Sequence, residues 1–497
     1  MFDDFVNEIL GVADDVQQEY YLRAVSEMAV YFNTQPVVRC FVTNTNAFGH
    51  QISTVNMMKR LIAYGYNQTI ELIYDDTGFP DRPTIQKLKI LLPEIIIPGG
   101  GGAPAPINLN GCTITFLPYS NYYHGAAPLT PPALRVNFGF TGGYDDPTDL
   151  SRSLNTDYFL VLQPFQWGQA VFSNTILRYP AVRVNLDNFQ PLLPRFNSRA
   201  FYMPDPTLTD AEWDQYLGTT TGAESANLLH AYATNTDPND VSVNLCCAYG
   251  MSTGANALGV PAEDMLFNLT CGIVQYLNNA AFTARKPTVL LVLANVSATD
   301  YTALGQYLQG NNLNGNVTTT QFVANNNLPA RVSIFQNGWD SDLLMGVIDN
   351  MQDNEVLIVS LPSLPPDLFN QMLYVSNLPI VFEGKNTANF AINFPNSFFW
   401  EATGGGGVVY PTLPLGAVAG APATANQATA NSMQMNPQNW PPANHPAQIL
   451  GGFISNSNPI NPPTPFTNYF TGLANFYHSQ VNDKLFKAMQ AFLSIRV

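Results

Sequence analysis

The period of the apolar positions changes several times along the chain, and each change marks a predicted element. Over 1–33, Phe5, Ile9, Leu10, Val16, Tyr20, Leu22, Val25 and Met28 recur at helical spacing, which predicts a helical N-terminal extension. From Pro36 that period is lost, and 37–42 is a short apolar run of the kind that suits a parallel strand buried on both faces. A turn-rich stretch ending in Gly49-His50 follows. Residues 52–64 then place Ile52, Val55, Met58 and Ile62 on a helical stripe, and 69–74 is β-rich and closes on Asp75-Asp76. Strand, loop, helix and strand in that order form a βαβ unit of Rossmann type.

Further strands are predicted at 95–97, 113–117, 158–162 and 181–184, with an exposed loop over 98–106. Residues 205–236 are polar and turn-rich, and the boundary between two blocks is placed near 235. A second alternation then runs strand 241–248, helix 262–278, strand 288–296, helix 300–308, strand 331–335, helix 340–351, strand 355–361, helix 366–375, strand 379–382 and short helix 386–392. Residues 411–446 are low in complexity and read as a long surface loop. The tail, 469–495, reads as a helix through Phe470, Leu473, Phe476, Leu485, Met489 and Phe492.

The predicted fold class is therefore α/β. A helical extension (1–35) precedes two Rossmann-like blocks (36–235 and 236–468), and a C-terminal helix (469–497) packs across both. Sheets of this kind bind ligands at the carboxyl ends of their strands, so the expected site is a cleft between the blocks.

Composition narrows the partners. Lys and Arg total 20 against 36 Asp and Glu, a net charge of -16, and no basic run occurs, which argues against nucleic acid and anionic membranes as partners. Charged residues are 11% of a 497-residue chain while Asn alone numbers 51, so neutral amides take the place of charges. No stretch of ~18 apolar residues is present to span a bilayer. The acidic start MFDDFVNEIL lacks the pattern of a secretory signal, which predicts a cytoplasmic protein or one exported without a cleavable leader. Cys40, Cys112, Cys246, Cys247 and Cys271 are odd in number and without CxxC spacing, so they read as buried thiols rather than zinc ligands or disulfides.

Two stretches carry a resemblance. NAFGHQISTVNMMKRLIAYGY (46–66) resembles the opening of GT-B glycosyltransferases, where a Gly-His pair heads the first helix. It also resembles the start of bacterial protein-arginine rhamnosyltransferases. In 356–400, Leu364-Pro365, Asp367, Phe369, Leu373, Gly384 and Phe398 to Trp400 follow the order of the same family's donor segment. The family's two acidic loop residues fall here on Asn46 and His50, and its donor Glu falls near Lys385, with Glu383 two positions earlier. Asn46 cannot act as a base, so arginine rhamnosylation does not carry over residue by residue.

What the resemblance implies is a GT-B fold and transfer of a sugar from a nucleotide-sugar to a protein or small-molecule acceptor, with inversion at the sugar and no metal or other cofactor. His50 is the expected general base, with Asp75, Asp76, Asp145 and Asp146 as candidates to orient it; the alternative is that His50 caps its helix. Glu383, Gly384, Lys385, Asn386 and Thr387 are the expected donor segment, Glu383 on the ribose and backbone N–H groups on the diphosphate; the alternative is a helix cap at Asn386 or Thr387. Tyr249 and Ser252, in the loop 249–254, are further donor candidates, with an ordinary turn as the alternative. Gln163 to Trp167 are a candidate acceptor wall or core aromatics. Gly404 to Gly407 are a flap or a linker. A different class of function stays open: a binding or assembly subunit, homo-oligomeric or part of a bacterial effector or toxin, that keeps the transferase fold.

Overall fold

The computed structural model describes residues 15–45, 48–77, 83–100, 102–124, 127–128, 133–142, 154–162, 175–178, 182–186, 203, 206–217, 223–233, 242–251, 260–278, 286–293, 296–308, 331–336, 338–382, 385–394, 428–429, 431–440, 446–457, 464–478 and 483–495. The chain divides into two compact units, Met1–Met203 with Phe476–Val497, and Pro204–Asn475. Each contains its own parallel sheet, so the α/β class and the double alternation are observed.

In the first unit, helix α1 (Asp15–Asn33) leads to β1 (Val37–Val42), α2 (Gly49–Ala63), β2 (Thr69–Tyr74), α3 (Thr84–Leu91), β3 (Ile107–Leu109) and β4 (Cys112–Pro118). A small ladder, β5 (Tyr123–His124) with β6 (Ala127–Pro128), precedes β7 (Val136–Thr141), β8 (Thr156–Val161), β9 (Thr175–Arg178) and β10 (Val182–Asn185). The main sheet runs β10-β9-β8-β7-β1-β2-β4-β3. Its five central strands are parallel and both edges are antiparallel. Sequence pattern missed β3, β7 and β9. It assigned a strand to 95–97, where the structure has none. The edge of β4 is already filled there by β3, and Ile95 is buried without pairing while Ile96 is exposed.

Buried parallel strands need cover on both faces. On one face the cover comes from the two ends of the unit. Phe492, in α13 (Lys484–Ile495), packs its ring against Tyr31 of α1, Phe138 of β7 and Tyr158 of β8 at centroid distances of 5.3, 5.1 and 4.9 Å. Across the strands, Arg39 is buried and donates from Nε to Glu71 Oε2 (2.7 Å), its register partner on β2, and from Nη1 to the carbonyl of Leu154 (2.5 Å). Asp483 caps α13 by accepting from the N–H groups of Leu485 and Phe486, and its other oxygen accepts from Arg60 Nε of α2 at 2.6 Å.

The second unit begins with α4 (Asp210–Leu217) and α5 (Ala223–Ala233). The expected boundary near 235 is corrected to 203/204 for a physical reason. Glu224 of α5 accepts from the Ser341 N–H (2.6 Å), and Tyr216 of α4 donates to Asp367 (3.0 Å), so both helices belong to the second block and the polar stretch 205–236 is largely helical. There follow β11 (Asn244–Tyr249), α6 (Ala262–Leu277), β12 (Thr288–Leu293), α7 (Ala298–Leu308), β13 (Arg331–Phe335), α8 (Ser341–Asp349), β14 (Glu355–Leu361), α9 (Pro366–Tyr374) and α10 (Lys385–Asn393). The sheet order is β11-β12-β14-β13, all parallel.

After α11 (Pro446–Ser457), the tail is two helices rather than one: α12 (Pro465–Tyr477) lies almost wholly in the second unit and α13 in the first. The first ends at Tyr477, and Asp483 caps the second. Part of the low-complexity stretch 411–446 is also corrected. Trp440 is buried and stacks on Phe267 of α6 (5.2 Å), and the buried Asn268 carboxamide donates to the carbonyls of Met433 and Met435 and accepts from Trp440 Nε1. Asn268 heads a glycosylation-type tripeptide, and its burial explains why that match is structural rather than a modified surface Asn. The five cysteines are buried and free.

Helices α6 and α11 meet at Gly272 and Gly451. A Cβ at Gly272 would overlap Leu450 Cβ, and one at Gly451 would sit 2.6 Å from Gln275 Cγ and 2.9 Å from the Gly272 carbonyl oxygen. Gly452, one residue on, faces open space. Gly272→Ala is therefore expected to lower stability by about 1–3 kcal/mol through overpacking. Gly452→Ala should be neutral or stabilising by up to about 1 kcal/mol. Denaturant midpoints of the two variants check the contrast. In the first unit, Asp483→Asn should cost about 3 kcal/mol, because it leaves the largely buried Arg60 guanidinium without its counter-charge; the same unfolding assay reads it, and an unchanged midpoint would show that the pair is dispensable.

Candidate functional site

In the first unit the strand order reverses at β1: β2 and β4 lie on one side, β7 and β8 on the other. That reversal opens a crevice at the carboxyl ends of β1 and β7. The chain leaves β1 there and re-enters as α2, whose second residue is His50, half-buried. The crevice wall is tight. Thr141, the last residue of β7, donates from its hydroxyl to the Phe41 carbonyl (2.8 Å), and the Gly142 N–H donates to Thr54 Oγ1 (2.9 Å) of α2. A Cβ at Gly142 would come within 2.8 Å of Ser53 Cβ, so this approach of strand end to helix requires glycine.

The loop carrying His50 is pinned from three sides. Asn44 Nδ2 donates to the Thr77 carbonyl (2.9 Å), Gln51 Nε2 to the Thr43 carbonyl (2.6 Å), and the buried Lys87 ammonium of α3 to the Thr45 carbonyl. Lys87 also lies 6.0 Å from the Phe48 ring centre. It is a cation at the base of this loop that sequence reasoning missed, because α3 carries no motif and nothing local distinguishes Lys87 from Lys89. Of the carboxylates expected to orient His50, Asp75 accepts from the Thr77 N–H and hydroxyl, and Asp76 from the Ser120 N–H and hydroxyl. Asn46, Asp145, Asp146 and Gln163 to Trp167 lie outside the described residues.

The second unit has the same device. Residues 379–382, expected as a strand, run parallel to β11 through one bridge, Ala248 with Val381. The Leu378 N–H donates to the Leu245 carbonyl (2.9 Å), Val381 N–H to Cys247 (2.8 Å) and Tyr249 N–H to Val381 (2.9 Å). The turn before it is laced to β11 by side chains: Asn377 Oδ1 accepts from the Leu245 N–H (2.7 Å), and the Ser376 hydroxyl accepts from the Cys247 N–H (3.2 Å). With this segment on one side of β11 and β12 on the other, the order reverses at β11. Tyr249 ends that strand, and α10 starts three residues after Phe382.

So the structure brings two separately predicted segments, Tyr249 and Lys385 to Thr387, to one edge of one sheet. Thr387 is buried on α10 and Asn386 is half-buried. The first N–H groups of an α-helix such as α10 have no acceptor within their own helix. Tyr249 packs edge-on against Phe369 of α9 (4.9 Å). Glu383, Gly384, Ser252 and Gly404 to Gly407 lie outside the described residues. A further acidic pair stands at the start of α6. Burial pushes the Asp264 carboxyl up to about 6, with the Glu263 charge adding to the rise and a hydrogen bond from Tyr307 opposing it. Glu263 is raised by burial and by Asp300. Among the described residues no group of three or more His, Cys, Asp or Glu side chains is arranged to hold a metal ion, and none of the helices there is long and apolar enough to cross a membrane.

No protein-family model matches the chain, and no curated protein matches it. Among solved structures, it is similar to trehalose-6-phosphate from E. coli bound with UDP-2-fluoro glucose, at 10% identity and a TM-score of 0.29, covering 92% of this chain and 98% of that one. It is also similar to an alpha,alpha-trehalose-phosphate synthase (UDP-forming) from Burkholderia vietnamiensis, at 9% identity and a TM-score of 0.32, covering 93% and 96%. The corresponding Burkholderia multivorans protein gives 8%, 0.31, 93% and 98%. Identities and TM-scores this low do not carry a shared site or activity.

The Asp264 shift has a measurable consequence. Between the ordinary Asp range and about pH 6 the folded chain keeps a proton that the unfolded chain has lost, so this residue's share of stability falls as pH rises through that window. Above about pH 6 the full penalty of a buried, ionised carboxylate applies. Asp264→Asn should flatten that slope and raise stability at pH 7 by about 2 kcal/mol. Urea unfolding at pH 4 and pH 7 checks it; equal pH dependence in both proteins would contradict it.

Proposed function

We propose that this chain is a glycosyltransferase-like protein that takes a nucleotide-sugar donor and passes the sugar to a protein or small-molecule acceptor, with inversion and without a metal. The observation that carries the reading is the reversal of strand order at β11, which sets Tyr249 beside the segment that feeds α10. A helix N-terminus at such a crevice presents N–H groups and a positive dipole end to a diphosphate. In this reading the N–H groups of Lys385, Asn386 and Thr387 hold the diphosphate, Glu383 accepts from the ribose hydroxyls, and Tyr249 and Ser252 border the base. The sequence resemblance of 46–66 and 356–400 to glycosyltransferases supports the same assignment.

His50 is the proposed general base. As an acceptor oxygen attacks the anomeric carbon, the bond to the nucleoside diphosphate breaks, and the acceptor's proton passes to the imidazole. The support is its place at the switch crevice of the first unit and the absence of any Asp or Glu between Val42 and Arg60, so it is the neutral-pH base which that loop can supply. Asn46 and Lys385, which stand where the arginine rhamnosyltransferase pattern has acidic groups, favour a second reading, a non-catalytic subunit that keeps the donor site.

A thermal-shift screen of UDP-, GDP- and dTDP-sugars tests the donor site. A ligand at 100 times its Kd stabilises by about 2.7 kcal/mol. Glu383→Ala and Thr387→Ala should remove that shift, whereas His50→Ala should keep it and lower turnover by about 10²–10⁴-fold. Binding without turnover in the wild type selects the subunit reading, and no shift with any nucleotide rejects both.

A further inference from the structure

The amino ends of the parallel strands in the first unit carry a cavity that the reading above does not use. Its volume is about 470 Å³, room for roughly fifteen waters at ~30 Å³ each. It lies at the opposite end of the strands from His50. Parallel strands β1 and β7 run six residues, and at ~3.3 Å per residue the two ends are roughly 20 Å apart.

Three parts of the fold line it. The end of α1 supplies Tyr31, Thr34 and Gln35; the starts of β7 and β8 supply Arg135, Asn137, Asp157 and Tyr158; the end of β9 supplies Arg178. Their charges do not cancel. Arg135 is paired with Asp157, Nη2 to Oδ1 at 2.5 Å and Nε to Oδ1 at 2.6 Å. Arg178 is exposed, lies with its guanidinium carbon 5.9 Å from the Tyr158 ring centre, and pairs with no carboxylate among the described residues. Among the described residues the cavity lining therefore carries one uncompensated positive charge, in a chain of net charge -16. A guanidinium laid over an aromatic face keeps its edge free to donate to an anion.

A second, independent observation specifies the ligand further. The carboxamide oxygen of Asn137 is buried and accepts no hydrogen bond. A buried acceptor left unmade costs about 1–3 kcal/mol, and a hydroxyl-bearing ligand would satisfy it.

We infer that this cavity binds a small hydroxylated anion, its phosphate or carboxylate group on Arg178 and a hydroxyl donated to Asn137. Such a ligand would bridge the end of α1 to the antiparallel edge of the sheet. The site is separate from the proposed donor and base positions, so it stands or falls independently of them.

Titration calorimetry on the full chain at low ionic strength tests it, with glycerol 3-phosphate, tartrate and glycerol as probes. One or both anions should bind and neutral glycerol should not; the pair of anions separates phosphate from carboxylate recognition. Arg178→Ala, an exposed change, should weaken binding about tenfold or more. Asn137→Asp, close in size, should do the same by placing a negative charge against the ligand, and circular dichroism confirms that both variants are folded. No binding of either anion at millimolar concentration, or unchanged affinity in both variants, overturns the proposal. Loss in Arg178→Ala with unchanged affinity in Asn137→Asp overturns the hydroxyl contact.

Discussion

Asp483 has a fully buried side chain, and its two oxygens meet three donors: Arg60 on α2 and the first N–H groups of α13. The first unit depends on this arrangement, because a parallel sheet buried on both faces must find cover that its own crossovers do not supply. Here the cover is brought by the far end of the chain. Residues 204–475 form a different unit, so α13 reaches the sheet only after the second block has been completed. A hydrophobic face alone would let α13 slide or turn. The ion pair and the cap together fix its start relative to α2, and Phe492 then falls among Tyr31, Phe138 and Tyr158. The apolar contacts supply the bulk of the attraction; the carboxylate supplies the register.

Both candidate crevices follow from strand order rather than from any motif. A strand with neighbours placed on either side in opposite chain order leaves its following loop without a crossover helix above it, so the loop borders open space. In the first unit that strand is β1 and the loop bears His50. In the second it is β11, and the reversal depends on pairing that is barely a strand, one bridge at Ala248 and Val381 supported by Ser376 and Asn377. Leu378, Ile380, Val381 and Phe382 of the segment that introduces α10 are buried, as is Ser376, so the position of the candidate donor segment rests on apolar packing together with the polar lacing from Ser376 and Asn377.

The parts of this fold that were readable in the sequence are those whose period was decided locally. Strands β1, β2 and β13 lie in short runs rich in β-branched and other apolar residues, each broken by only one or two polar ones, and their ends are placed as the pattern predicts. The runs that misled are those where pairing was decided elsewhere. Residues 95–97 have strand composition, but their partner edge is occupied by β3. Strand β7 contains Asn137 and Gly139, which interrupt its apolar pattern, yet it is the neighbour that makes the switch point at β1. His50 and Tyr249 read as loop residues after strands, whereas they are the second residue of α2 and the last of β11; that each stands at a reversal of strand order needed the non-local pairing. Lys87 and Arg178 carry no local signature at all, since a cation becomes informative only when its surroundings are known.

The excess of asparagine has a structural explanation in the second unit. The side-chain amide of Asn278 donates to the Val274 carbonyl, Asn350 to Gly346, Asn393 to Asn389 and Asn456 to Gly452, each at or next to the end of its helix. A carbonyl has two lone pairs, so a neutral amide four residues on adds a second donor to the last turn, as where the Val274 carbonyl accepts from both the N–H and the side chain of Asn278. Lys or Arg in the last turn would serve the same carbonyls with a charge, and α8, α10 and α11 have none there. The same group works between elements: Asn244 donates to the Lys286 carbonyl, and Asn268 ties α6 to 433–440. An amide both donates and accepts, so it can close a helix end or a loop without the desolvation that a buried charge requires. Low charge and high Asn are thus two aspects of one solution, in which backbone groups at element ends are met by neutral side chains. Three cations, Arg39, Arg60 and Lys87, are instead largely buried, each against a carboxylate or a backbone carbonyl that a full positive charge satisfies.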